Sequence, residues 1–328
     1  MENQRKGISF YGMIFKILPG GAMMVPLLFA TLLNTLFPNL FGYFGGMPTA
    51  MFKNSAMCLA GLMLFAVGTS LDMKSIGKVA KRGIPLFVAK MAVSFGAGIA
   101  FTKLFGLDGI AGISAVAFVC AICACNPGIY SGLVEEYGDE TDIAIYPLVN
   151  IAALPFWPLI VLAASSTSGF PVKDVISALL PLILGIMCGI IDPGLKKVMM
   201  PILPIAMVFM GFSFGSSLNL VTAVQSGISG ILLALLYITI NGSIMLLADR
   251  FLCRRPGYCG IAWTSVTGIS MAAPAMLGEA YADYVAPAIS QLMLTLVISS
   301  VVTGYLVKAS VKKFGSPKYP LPGQTFEG

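Results

Sequence analysis

A lysine, two asparagines, a glutamine and a run of hydroxyls occur where this chain is otherwise too apolar to hold them. Lys90, Asn126, Asn150 and Gln291 each fall inside stretches long enough to cross a bilayer, as does Thr264-Ser265-Val266-Thr267-Gly268-Ile269-Ser270. Polar and ionisable groups at membrane depth are costly and usually serve a function. These residue types suit recognition better than bond-making: amides, hydroxyls and free backbone N–H groups can hold an anion or sugar hydroxyls, and a lysine can offer charge or a proton. Five acids, Glu135, Glu136, Asp139, Glu140 and Asp142, cluster where the fourth apolar stretch meets the fifth. Most read as solvated loop charges, with room for one to reach an interior cavity. The chain contains no histidine, so a proton carrier has to be a carboxylate, a lysine or the ligand itself.

Two of the polar clusters coincide with places where a helix should fail. Asn126-Pro127-Gly128 falls well inside the fourth stretch, where proline removes a helical donor and glycine frees the backbone. Backbone broken at that depth survives only when buried in protein or facing a watery cavity. The corresponding place later in the chain, Gly260 to Glu279, carries the hydroxyl run and then Pro274. A proline kink in the first case and close helix packing by small hydroxyl residues in the second are the plain alternatives. Paired interruptions in corresponding spans nevertheless point to the binding site of a secondary transporter. Half-helix N-termini there suit an anion. The candidate binding residues are therefore Asn126, Gly128, Asn150, Thr264, Ser265, Thr267, Ser270 and Gln291; Asn241 reads as a bridge between helices, and Glu279 as a surface or gate residue.

Lys90, Glu135, Glu136 and Asp142 are the candidates for coupling transport to a proton. Lys90 lies eight residues past Arg82, about 12 Å along a helix, so its stem could snorkel to the surface. Otherwise it faces the bundle, pairing with a carboxylate or binding the anion, and burial there favours a lysine's neutral form.

The elements that must position these residues follow from composition. Hydrophobic residues make up 57% of the 328 and charged residues only 10%, and the mean hydropathy is +0.90. Too little polar surface exists to cover a soluble fold. Spans of roughly 20 residues fall near 21–40, 54–71, 84–104, 110–134 and 143–165, and again near 174–191, 199–218, 228–248, 259–278 and 284–307. This predicts an all-α polytopic membrane protein with ten transmembrane helices, the fourth and ninth interrupted.

Charge sets the orientation. With a cytoplasmic N-terminus, sixteen Lys and Arg fall on inside segments, among them Arg5, Lys6, Lys16, Lys74, Lys78, Arg82, Arg250, Arg254, Arg255 and Lys313; only Lys53, Lys103 and Lys173 fall outside. That is the positive-inside bias. The net charge of +6 is accordingly a topology signal, and a nucleic-acid partner is not expected. Both termini are expected to be cytoplasmic, in the cell membrane. A repeat supports the count: Gly68-Thr69-Ser70-Leu71-Asp72-Met73 followed by Gly83-Ile84 returns as Gly215-Ser216-Ser217-Leu218-Asn219-Leu220 followed by Gly227-Ile228. Five spans per copy make the second enter from the opposite side, an inverted repeat. The expected units are residues 1–165, residues 166–313 and a cytoplasmic tail at 314–328, which is rich in Pro, Gly and Lys and reads as disordered.

Other features argue against other classes. Met1 to Gly20 lacks the compact apolar stretch of a cleaved leader. Cys120, Cys123 and Cys125 have metal-like spacing but lie at membrane depth without histidine, so they read as packing residues. No G-x-S-x-G falls at the interrupted helices, no P-loop is present, and no cofactor is implied. A passive channel would differ from a carrier by failing to saturate or show counterflow.

Lys16-Ile17-Leu18-Pro19-Gly20-Gly21-Ala22-Met23-Met24-Val25-Pro26-Leu27 resembles the opening of the 2-keto-3-deoxygluconate permease family. So do Leu180-Pro181-Leu182-Ile183-Leu184-Gly185 with Asp192-Pro193, the Asn126 break with Gly128-Ile129-Tyr130, and Gly260-Ile261-Ala262 leading to Ala273-Pro274. Pro127 departs from the expected small residue, and residues 121–125 are more apolar than expected. The resemblance implies proton-coupled uptake of a keto-deoxy sugar acid on a bile acid/sodium symporter-like fold, with broken helices 4 and 9 crossing. It also implies that helices 3–5 and 8–10 move as a core against a panel of helices 1, 2, 6 and 7. A sodium-coupled carrier of another organic anion is the alternative. A homodimer and a monomer are both compatible with the sequence.

Overall fold

The computed structural model describes residues 21–70, 80–165, 172–218 and 227–325. Arg5, Lys6, Lys16, Lys74 and Lys78, the N-terminal stretch, and the Leu71-Asp72-Met73 and Asn219-Leu220 parts of the repeat lie outside the described residues. The principal helices are α1 (Gly21–Leu36), α2 (Ala56–Ser70), α3 (Ala80–Phe105), α4 (Ala115–Cys123), α5 (Pro127–Tyr137), α6 (Tyr146–Ala152) and α7 (Trp157–Ser165). They continue with α8 (Val172–Ile191), α9 (Ile202–Gly215), α10 (Gly227–Phe251), α11 (Tyr258–Ile261), α12 (Ala272–Ala275) and α13 (Ala282–Phe314).

Five described segments are long and apolar enough to cross a bilayer: Lys81–Phe105, Ala115–Tyr137, Leu195–Gly215, Gly227–Phe251 and Glu279–Phe314. Two further spans arise if bent pairs count as one: Gly46–Phe52 with Ala56–Ser70, bent by 53°, and Glu140–Ala152 with Trp157–Ser165, bent by 51°. Val25–Leu36 and Leu179–Ile191 are apolar but shorter. Among the ten expected spans, the stretch near 259–278 stands apart because its helical elements are only four residues each. The bend in the fifth span lies at Ala153–Phe156, where Pro155 and Pro158 interrupt the pattern.

The helices sort into two groups by what they pack against. In the first, α1 lies along α9 and α2 along α8. Glycines bring these backbones together: a β-carbon at Gly185 would sit 2.2 Å from the Phe65 carbonyl oxygen, and one at Gly189 would sit 2.7 Å from that of Thr69. Gly211 and Gly215 approach the carbonyls of Met23 and Leu27 in the same way, at 2.3 and 2.2 Å. Close approach of this kind is what drives helix association in lipid, where apolar burial gives no preference for protein over hydrocarbon. Gly211-Phe212-Ser213-Phe214-Gly215 also spells G-x-S-x-G, but Ser213 lies in the last turn of α9 and donates to the Lys53 carbonyl at 2.7 Å. That is not a strand-to-helix nucleophile turn.

In the second group, α10 runs along α13, and α3 packs on α4, α7 and α10. The short helices α4 and α11 pack against α13 as well. The two groups meet where α12 touches α2, and two clefts of about 370 and 420 Å³ open along that seam beside Leu277 and Gly278. Lys53 and Glu279 line the larger cleft. At the opposite end of α13, Arg82, Arg250, Arg254, Arg255 and Lys313 gather into a basic end.

The tail departs from the sequence expectation. Residues 315–325 fold back instead of trailing away: Gly315 turns the chain at φ 73°, and Ser316 and Tyr319 exchange backbone hydrogen bonds at 3.0 and 3.1 Å. The Tyr319 ring meets Tyr137 at 5.6 Å, and Lys318 donates to the Glu135 carbonyl. A polar composition misleads here because two tyrosines and a left-handed glycine supply a local anchor.

Candidate functional site

The α4 helix starts on a Ser114 cap, whose Oγ accepts from the Ala117 N–H at 3.2 Å, and it stops at Cys123. Ala124-Cys125-Asn126 then separates it from α5, which begins with Pro127 at its first position. That position suits proline, since its missing N–H would be unpartnered in any case. Asn126 caps the new helix, its Oδ1 accepting from the N–H groups of Gly128 at 3.1 Å and Ile129 at 3.2 Å. The second interruption is longer: after α11 and a turn, Thr264-Ser265-Val266-Thr267 carry no helix, and a 3-10 turn, Gly268–Met271, leads into α12.

Side chains replace the lost helical hydrogen bonds. Lys90 is fully buried, and its Nζ donates to the Ile122 carbonyl at 2.9 Å and to Asn241 Oδ1 at 2.8 Å. Ser94 Oγ donates to the same carbonyl at 3.0 Å, and the Tyr237 hydroxyl donates to the Ala124 carbonyl at 3.1 Å. A cation at the unsatisfied C-terminal carbonyls of α4 also complements the helix dipole. At the second break Thr303 donates to the Thr264 carbonyl, and the Val266 N–H donates to Ser299 Oγ at 3.0 Å. Ser265 and Ser300 pair through their hydroxyls at 3.0 Å.

Two bridges join the breaks directly. Asn126 Nδ2 donates to the Val266 carbonyl at 3.1 Å, while Asn241, held by Lys90, passes its Nδ2 to Thr264 Oγ1 at 3.2 Å. Asn126 is half-buried and Gly128 exposed, and Gly132, one turn further along α5, is exposed too. Nothing within 4 Å would meet a side chain at Gly132. An open face therefore runs from the α5 N-terminus toward Glu135 and Glu136.

The structure brings together Lys90, Asn126, Gly128, Thr264, Ser265 and Thr267, with Ser270 in the adjoining turn. Asn150 donates to Tyr146 of its own helix at 3.3 Å and shares a narrow slot with Ile269 beside the second break. Gln291 is elsewhere. It precedes Ser299 by eight residues, about 12 Å of helix, and donates to the Gly112 carbonyl at 2.8 Å and Ser229 Oγ at 3.1 Å. Lys90 faces the bundle, and its partners are neutral oxygens instead of a carboxylate.

The acidic cluster divides sharply. Glu135, Glu136 and Glu140 are exposed. Asp142 is buried and accepts from Arg255 at 2.6 Å and from the Tyr258 hydroxyl, and Asp139 pairs with Arg82 at 2.8 Å and Arg255 at 3.1 Å. Partial burial works against the charged form of Asp139, but Arg82, the Asp142 N–H and Arg255 outweigh it and hold the carboxyl at about 2. Tyr130 reaches the Asp142 carbonyl at 2.6 Å, so this network ties α5 to α11.

Sequence reading missed Ser94, Tyr237, Ser299, Ser300 and Thr303. A signal existed for the last three: hydroxyls at 299, 300 and 303 share one helical face of an otherwise apolar span.

An all-helical apolar chain with its polar groups concentrated on two joined helix breaks is built as a multi-pass membrane permease. Residues 13–316 match the 2-keto-3-deoxygluconate permease family, and the chain belongs to that family. It is 31% identical over 302 residues to 2-keto-3-deoxygluconate permease 1 of Salmonella typhimurium, covering 90% of this chain and 95% of the relative. The 2-keto-3-deoxygluconate permease of Bacillus subtilis is 30% identical over 293 residues, 88% of each chain. That of Xanthomonas oryzae pv. oryzae is 32% identical over 297 residues, 88% of this chain and 92% of the relative. The protein is thus a transport protein and not an enzyme.

Proposed function

We propose that this chain is a secondary carrier that imports a keto-deoxy sugar acid of the 2-keto-3-deoxygluconate kind by proton symport. The observation that carries the reading is Asn126, which caps the α5 N-terminus and holds the Val266 carbonyl at once. It fixes two half-helical segments face to face, the arrangement that suits a small anion with several hydroxyls. The substrate carboxylate docks at Asn126-Gly128 and at Thr267 and Ser270, with Asn150 reaching a hydroxyl. Thr264 and Ser265, already engaged with Asn241 and Ser300, position the backbone that binds. Gln291 holds α13 to α10 away from the substrate.

The two helix groups support a reading of alternating access. A two-fold operation that exchanges inverted repeats would pair the first helix with the seventh and the second with the sixth; the α1–α9 and α2–α8 pairs support that symmetry. The first group is the static panel, and the second, which holds both breaks, is the moving core. Lys90 is the coupling group: it is the candidate in contact with both breaks, through Ile122 and Asn241, whereas Glu135 and Glu136 are exposed and Asp142 is committed to Arg255. A lysine charged with substrate bound and neutral without it moves one proton with each anion.

Uptake into proteoliposomes tests this, using a panel of hexuronate-derived acids under imposed proton or sodium gradients. Saturable uptake of the keto-deoxy acid, driven by a proton gradient and showing counterflow, is expected. Uptake driven by sodium at constant pH would move the chain to the sodium-coupled alternative.

A further inference from the structure

A second charged site lies far from the breaks, at the basic end. The end of α10, the turn at 254–256, the end of α13 and the folded-back tail enclose a cleft of about 530 Å³, with Arg250, Arg254, Arg255 and Lys313 on its walls and Gln324 at its rim. No carboxylate lines it among the described residues. Arg255 is spoken for by Asp139 and Asp142, but the other three cations make no ion pair among the described residues. Arg250 stacks 3.6 Å above the Phe314 ring, and its Nη2 is buried without a hydrogen-bond partner. Arg254 occupies a left-handed backbone conformation, φ 54°. A non-glycine residue there is strained, and such strain persists where the surroundings hold it.

Exposed apolar residues lie close in the chain to the cleft's cations. Phe251 and Leu252, which follow Arg250, are 74% and 61% exposed, and Tyr305 and Leu306 stand exposed on α13 two turns before Lys313. Cations without a carboxylate partner among the described residues, close in the chain to exposed hydrocarbon, match a phosphate carried on acyl chains. Arg250 Nε donates to the Pro256 carbonyl at 3.4 Å and Lys313 lies 5.3 Å from the Phe314 ring centre, which leaves their charge uncompensated. A soluble phosphate would use the cations and leave the exposed hydrocarbon without a role.

We propose that this cleft binds the phosphate headgroup of an anionic phospholipid, with its acyl chains lying along Phe251, Leu252 and Leu306. The site is independent of the transported anion. It joins the ends of α10 and α13 to the tail, so an occupied cleft pins that tail against the end of α5.

Native mass spectrometry of the full chain in detergent tests the assignment, with phosphatidylglycerol and phosphatidylcholine of matched acyl chains as probes. The parent should retain phosphatidylglycerol in preference. The Arg254→Gln/Lys313→Gln double variant should lose that retention by roughly five-fold per cation removed, from about 1 kcal/mol for each. Neither side chain forms a hydrogen bond or ion pair among the described residues, and an unchanged thermal midpoint in detergent would show that the variant is folded. Lys308→Gln, outside the cleft, should retain the lipid as the parent does. Equal retention of both lipids by the parent, full retention by the double variant, or an equal loss in Lys308→Gln would each overturn the proposal. Inorganic phosphate raising the parent's thermal midpoint, with no preference between the lipids, would reassign the cleft to a soluble anion and overturn it as well.

Discussion

Lys90 Nζ and Asn241 Oδ1 lie 2.8 Å apart at the centre of the molecule, and through Asn241 the lysine is linked to Thr264 on the far side. One ammonium thus touches the end of α4 and, at one remove, the second interruption. Replacing Lys90 by Gln should abolish accumulation of substrate against its gradient while leaving counterflow exchange. The measurement is uptake into proteoliposomes with and without an inward proton gradient. A variant that accumulates substrate as the parent does would make Lys90 structural.

Asn126 and Thr267 test the site itself. Asn126→Leu or Thr267→Val should weaken substrate binding by about 1–3 kcal/mol, the usual consequence of stranding a buried polar partner. Isothermal titration in detergent reads this directly, and unchanged affinity in both variants would move the site elsewhere. Gln291→Leu, in contrast, should lower thermal stability and leave affinity intact.

Asp139 gives a pH signature with a definite sign. Its carboxyl is held at about 2, below the roughly 3.9 of a free aspartate. Its ionised form therefore contributes stability above about pH 4, which is lost as pH falls toward 2. Asp139→Asn should lower the thermal midpoint by the same amount at pH 5 and pH 8, and the gap should narrow below pH 4. A gap that changes between pH 5 and 8 would show that Asp139 titrates there.

Gly185 and Gly96 make a matched pair in long helices. A β-carbon at Gly185 would lie 2.2 Å from the Phe65 carbonyl oxygen, whereas one at Gly96 meets nothing within 4 Å. Gly185→Ala should destabilise by about 1–3 kcal/mol through forced separation of α2 and α8. Gly96→Ala should be neutral or stabilising by up to about 1 kcal/mol. Thermal unfolding of both variants in detergent distinguishes them; equal midpoints would refute the close packing.

What was legible in the sequence depended on whether a signal was local. Asn126-Pro127-Gly128 announces its own break, because proline and glycine act on the backbone where they stand. The partner that heals it from α10, Tyr237, comes from more than 100 residues away, and nothing in its own neighbourhood marks it. Asp139 and Asp142 looked like their solvated neighbours because their arginines, 82 and 255, are distant in the chain. The glycines at 185, 189, 211 and 215 carry a four-residue spacing visible in the sequence, yet only the packed backbones show that it matters. Gln291 is an isolated amide in an apolar span, ambiguous in the sequence, and its contacts to Gly112 and Ser229 come from segments distant in the chain.

The side chains that clasp the two breaks, Lys90, Ser94, Asn126, Tyr237, Asn241, Ser299 and Thr303, all stand on helices of the group that contains the breaks. A displacement of that group against α1, α2, α8 and α9 therefore leaves every one of these bonds intact. As the moving core proposed above, the interrupted backbone would travel like a sealed cartridge, with the resistance to its motion concentrated at the seam where α12 meets α2.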